Sequence, residues 1–130
     1  MNLTIEDETQ IHQLLARYCW LVDEGKSDAW ADLWTLDGSF TGIPDPLQGR
    51  EALRNMPGGF FGIAQGKLRH HITNALISPG ERAGEANVRA YSMVSDWREG
   101  GKLFVFAKIK FALLRDSDSW KIKALHAEMM

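Results

Sequence analysis

Residues 11–37 read IHQLLARYCWLVDEGKSDAWADLWTLD, and this stretch decides the fold. Apolar side chains recur at Ile11, Leu14, Leu15, Tyr18, Cys19 and Val22, the three-and-four spacing of one buried helical face. Gly25 then supplies the residue type that most often ends a helix in the left-handed conformation. Asp23 therefore falls in the last turn, beside the negative end of the helix dipole. A carboxylate exposed there loses roughly 0.3–1 kcal/mol. Either Lys26 compensates it at the surface or a pocket makes use of it.

Upstream, Thr4 with Asp7 has the spacing of a capping box, so the helix starts near Ile5. Downstream, Ser27 is a good N-cap for a second helix, whose apolar stripe is Trp30, Leu33 and Trp34. Asp37-Gly38 marks a turn, and residues 38–42 are a candidate short strand. Pro44-Asp45-Pro46 can be neither helix interior nor central strand. A third helix is expected over about 50–56, stopped by Pro57-Gly58-Gly59. The glycine-rich run PGGFFGIAQG is expected to be a flap that lays Phe60, Phe61 and Ile63 over an opening.

After Gly66 the period changes from 3.6 to 2. Four strands are expected at about 68–77, 84–97, 102–114 and 120–128, separated by SPGERA, REGGK and RDSDS. Such short breaks imply an antiparallel meander. Three helices followed by strands make an α+β domain, with the helices on one face of a curved sheet.

The 130 residues form one expected domain, 1–130, long enough to bury about two-thirds of its unfolded surface. A net charge of −2 leaves no strongly basic character for nucleic acid. No apolar run reaches the roughly 18 residues of a membrane span. The acidic, polar start MNLTIEDETQ is unlike a signal or transit peptide, and the lone Cys19 fits a reducing, cytoplasmic setting.

On the first long strand Leu68, His70, Ile72, Asn74 and Leu76 share one face, and this more apolar set is expected to meet the helices. His70 and Asn74 are then buried and need partners. Two readings of His70 stand at this point: a histidine bonded into the structure, or a general acid or base, since imidazole titrates in the useful range. Asp23 likewise is either a solvated acid in a fraying turn or a site residue. His71 points the other way, so adjacent histidines cannot share one ion, and no metal or other cofactor is expected. His126 shares a face with Trp120 and Ile122 and is expected to be buried and structural. Asp96 closes a strand beside a turn, where acids are usually solvated. Trp34, Phe60, Phe61 and Tyr91 are the aromatic candidates for a pocket wall. Cys19 lies on the buried stripe, where thiols are inert.

The run RYCWLVDEGKSDAWADLWTLDGSF, with QGREAL, LRHHITN and SWKIKALH in the same order, resembles the SnoaL-like branch of the nuclear transport factor 2-like superfamily. The resemblance covers nearly the whole chain. It implies a cone-shaped α+β half-barrel, with three N-terminal helices on a strongly curved, mainly antiparallel sheet around one apolar pocket. It also implies a homodimer through the outer face of the sheet and a small hydrophobic ligand. Dehydratases of this fold pair an acid at the end of the first helix, here Asp23, with a strand histidine, here His70. Tyr18 is similar to a pocket tyrosine of the bile acid dehydratase and of ketosteroid isomerase. The isomerase's catalytic base falls here at Gly42, which argues against that chemistry. The implied roles are His70 as base, Asp23 as its partner, Tyr18 as a donor to the substrate carbonyl and Asn74 as a positioning group. The implied activity is a cofactor-independent, dehydratase-like lyase acting on a hydroxy or keto compound of polyketide, steroid or aromatic type. The alternative is a non-catalytic binding or assembly module of the same fold.

Overall fold

The computed structural model describes residues 2–130. Helix α1 spans Ile5–Asp23. Its start is closed reciprocally: Thr4 Oγ1 accepts from the Asp7 amide at 3.0 Å, and Asp7 Oδ2 accepts from the Thr4 amide at 2.9 Å. Its end follows the expected glycine. Gly25 sits at φ +67°, and the amides of Gly25 and Lys26 donate to the carbonyls of Val22 and Leu21.

Helix α2 is only Ser27–Ala31, shorter than its apolar stripe implied. Ser27 is the first helical residue rather than its cap, and its side chain makes no capping bond. Trp34 is not helical. It opens strand β1, Trp34–Thr41, which runs parallel to the last strand. The Leu33 carbonyl accepts from the Ile122 amide at 2.8 Å, so pairing with the distant strand takes over where the helical pattern would have continued.

Strand β2 is Leu47–Gln48, and helix α3 is Arg50–Leu53. The glycine-rich run is not a loop but helix α4, Met56–Ile63, which makes four helices rather than three. Pro57 fits its first turn, where an amide is not needed. Phe60 packs against the core, and that packing offsets the poor helix propensity of the three glycines.

Strands β3 (Leu68–Pro79), β4 (Glu85–Asp96), β5 (Lys102–Asp116) and β6 (Ser119–Met129) follow as antiparallel neighbours. The six-stranded sheet has the order β2-β1-β6-β5-β4-β3 and does not close, so β3 is a free edge. Its inner face places Val88, Ile109, Phe111, Leu113, Ile122 and Leu125 against Ile11, Leu14, Leu15, Tyr18 and Val22 of α1, with Trp30 and Trp34 filling the narrow end. None of the described helices is long and apolar enough to cross a membrane.

Two bulges overturn the strict alternation read from the sequence. On β3 the register shifts between Thr73 and Leu76, with Asn74 at φ +57°. Leu68, His70 and Ile72 face inward as expected, but beyond the bulge Ala75 and Ile77 do so, while Asn74 and Leu76 are exposed. On β5 and β6 a shift between Ala112 and Leu113 lets Ile122 and Leu125 both point inward, and this turns His126 outward. His126 is exposed, with Nδ1 2.8 Å from Thr41 Oγ1. An extra residue in one strand reverses the face of everything after it.

Candidate active site

The last turn of α1 lies along the free edge of β3. An edge strand presents amides with no neighbouring strand to accept them. Asp23 takes the place of that strand: both carboxylate oxygens lie 3.0 Å from the His70 amide nitrogen. The same carboxylate reaches the ring, with Oδ1 2.7 Å from Nδ1. The two side chains are 9% and 6% exposed. A carboxylate has no proton to give, so Nδ1–H donates to it and the free lone pair resides on Nε2. Among the described residues Nε2 has no hydrogen-bond partner. The unfavourable placement of an acid at a helix C-terminus is thus offset by two donors of one residue, the amide and the ring N–H.

Aromatic rings hold the imidazole from two sides. Phe60 meets it edge-on with centroids 5.1 Å apart, and Tyr18 does so at 6.5 Å. Tyr18 is 5% exposed, and burial raises its phenol far above the ordinary tyrosine range, so the hydroxyl remains a donor. Burial, with the nearby Asp23 carboxylate, pushes the Cys19 thiol up to about 12, so it is not a nucleophile at neutral pH.

Val22, Asp23, Phe60, Phe61, Gly66, Leu68 and His70 enclose a slit beside the pair, too narrow to admit a water molecule. Asp23, His70, Phe61 and Gly66 also line an open depression of about 590 Å³ outside it, together with Cys19, Trp20 and Arg69. Phe61 lines both. It rests over Gly25 and Gly66; a Cβ at Gly66 would stand 2.8 Å from its ring. Between α1 and the sheet, Tyr18 packs on Trp30 and Phe111, and Trp30 on Trp34, so these rings fill the core beside the pair.

Of the residues named from the sequence, Asp23, His70, Phe60 and Phe61 line the slit together, while Tyr18 touches the His70 ring from the core and lines neither the slit nor the depression. Trp34 is fully buried between Trp30 and Phe40, and it lines neither the slit nor the depression. Asn74 and Tyr91 stand on the opposite face of the sheet, where both line a different depression. A Cβ at Gly42, the isomerase-base position, would collide with the Ala127 carbonyl, so no carboxylate can stand there. The sequence reading missed Gly66 and the His70 backbone amide. A glycine two residues before a strand was the available sign of the first; nothing local announces the second. Among the described residues no group of three or more His, Cys, Asp or Glu side chains is gathered as a metal site.

The architecture has many counterparts. An NTF2-like protein with a cystatin-like fold from Novosphingobium aromaticivorans superposes with a TM-score of 0.87 at 22% identity, over 97% of this chain and 83% of that one. A candidate scytalone dehydratase from the same organism gives 0.84 at 19% identity, over 97% and 85%. A protein from Catenulispora acidiphila in complex with S-DNPA gives 0.76 at 25% identity, over 94% and 92%. No curated protein matches the chain. The SnoaL-like domain model matches residues 3–126, nearly the full length. With the helix-end acid and strand histidine in place on an open, curved sheet, the chain belongs to the SnoaL-like family.

Proposed function

We propose that this chain is a cofactor-independent, dehydratase-like enzyme for a small hydrophobic hydroxy or keto compound. The observation that carries the reading is the buried 2.7 Å contact between Asp23 and His70, with Nε2 left free. His70 Nε2 removes a proton next to the substrate carbonyl. The electron pair moves toward the carbonyl oxygen, to which the Tyr18 hydroxyl donates. The pair then returns to form the carbon–carbon double bond, and the β-hydroxyl leaves as water with the proton carried by His70. Asp23 holds the ring in one tautomer and balances its charge while it is protonated. Transfer by such a group is typically worth ~10²–10⁴-fold. Membership of the SnoaL-like family and likeness to a candidate scytalone dehydratase support this class of chemistry.

A second reading is a binding module of the same fold without turnover, favoured by the placement of Tyr18, which is buried and lines neither the slit nor the depression. One panel separates the two. Hydroxy-ketones, steroids and aromatic polyketides are ranked by the rise in melting temperature they cause, and every stabilising compound is then assayed for loss of water. On the enzyme reading, conversion occurs and is abolished in His70→Gln. Tight binding with no conversion, or full rate in His70→Gln, leaves the binding module.

A further inference from the structure

Asp23, Phe61, Gly66 and His70 line both the slit and the depression. Asp23 and His70 are bonded to each other, and Gly66 has no side chain. Phe61 is therefore the one of the four whose side chain is free to turn. Its residue is 45% exposed, whereas the His70 side chain is only 6% exposed. A reactant that has to meet His70 Nε2 needs something to move, and Phe61 is the movable group between α1 and the start of β3.

The ring rests on bare backbone along its length. A Cβ at Gly25 would stand 3.1 Å from its Cδ2 and 3.2 Å from its Cγ, and one at Gly66 would stand 2.8 Å from its Cε2 and Cζ. The end of α1 thus meets the base of the ring and the entry to β3 meets its tip. Within the slit its company is apolar: Val22, Phe60 and Leu68. The ring can turn while the end of α4 stays in place. Ala64 is fully buried with Leu68 and Val94, and the Gly66 amide donates to the Phe61 carbonyl at 2.9 Å. Rotamer changes of exposed side chains need no backbone rearrangement and are fast.

We propose that Phe61 is a gate, and that the compound admitted to His70 carries a flat ring that takes the seat of the Phe61 ring on Gly25 and Gly66; this rests on the reading of His70 as the group a ligand has to reach. When the ring swings out, slit and depression become one space. The seat it leaves has the thickness of a phenyl ring, with glycine backbone as its floor. An aromatic or conjugated enone ring refills that seat at close packing. A saturated ring is thicker by its axial hydrogens and does not.

Access is read with diethyl pyrocarbonate, which acylates an unprotonated imidazole nitrogen, followed by peptide mass mapping of the intact chain's histidines. Phe61→Ala should speed acylation of His70 ~10-fold relative to the exposed His12. Phe61→Leu keeps more of the apolar bulk and should give an intermediate rate, so the result does not hang on one variant's folding. Ile63→Ala, at the exposed end of α4, should change nothing. Ring shape is read with β-naphthol and its decahydro counterpart, by melting temperature and titration calorimetry. The parent chain should bind the flat compound at least ~10-fold more tightly, because the saturated one overfills the seat. Gly66→Ala places a methyl group in that seat, so it should both speed acylation of His70 and weaken β-naphthol. The gate is overturned if His70 reacts at the same rate in Phe61→Ala, Phe61→Leu and the parent, or if flat and saturated compounds bind equally. Turnover separates this from the dehydratase reading. A chain that passes both tests and converts no compound keeps the gate and loses the dehydratase. Loss of water from a hydroxy compound, with His70 acylation blind to Phe61→Ala, keeps the dehydratase and sinks the gate.

Discussion

Asp23 takes both donors of the single residue His70, its two oxygens sharing the amide N–H at 3.0 Å and one of them facing the ring at 2.7 Å. A helix end, a strand edge and an imidazole are thereby joined at one carboxylate. Substitution at Asp23 should therefore show in both stability and chemistry. Asp23→Ala leaves a buried ring N–H and an edge amide without an acceptor, a cost of about 1–3 kcal/mol for each buried donor. Asp23→Asn keeps the shape but removes the charge that balances protonated His70. Its turnover on any compound the chain converts should fall ~100-fold or more, with a smaller loss of stability. Urea unfolding and steady-state rates read the two effects separately. Equal, small changes in both would leave Asp23 a strand-edge cap and no more.

Helix α4 carries Gly58, Gly59 and Gly62 in eight residues, and its Phe61 lines both the slit and the depression. A Cβ at Gly59 or Gly62 would meet nothing within 4 Å, and neither has a positive φ. Gly59→Ala and Gly62→Ala should each stabilise the chain by up to about 1 kcal/mol. If α4 must move for a ligand to reach His70, the double variant should also bind it more slowly. Thermal unfolding checks the first statement and stopped-flow fluorescence the second. A faster association would show that α4 does not guard the way in.

Asn74 stands at φ +57° in the β3 bulge, a conformation that asparagine and glycine tolerate and β-branched residues do not. Asn74→Gly should be close to neutral. Asn74→Val should cost about 1–2 kcal/mol through backbone strain alone. Comparable stabilities for the two variants would mean that the bulge relaxes when its residue changes.

The acid dependence of stability should run through Asp7. The Thr4 amide holds its carboxyl below the usual 3.8, helped by the Thr4 hydroxyl and by Arg115, whose Nη1 lies 2.5 Å away. The folded-state value is lower than the unfolded one, so the unfolded chain binds the proton more readily. The contribution is complete above about pH 4 and is lost as pH falls toward the folded-state value. Urea unfolding at pH 6 and pH 3 should show a smaller loss in Asp7→Asn than in the parent chain. An unchanged difference would move the acid sensitivity to other groups.

The comparison of sequence with structure separates along physical lines. Helix α1 was legible to the residue, because its apolar spacing, its capping box and its terminal glycine are all local signals. The four long strands were legible within one or two residues for the same reason. Trp34 was misplaced because the Ile122 amide, some ninety positions along the chain, captures the preceding carbonyl. Tyr91 was named for the pocket, and it stands on the outer face with Asn74.

What the sequence determined by itself is the set of elements, their order, the α+β class and the candidacy of an acid at a helix end beside a strand histidine. Only the tertiary structure decided which strand positions face inward beyond a bulge, because a one-residue offset is set by the partner strand's register and leaves no mark in local alternation. It also decided that Asp23 meets both the ring and the amide of His70, since an edge amide becomes available only once the sheet has stopped at β3.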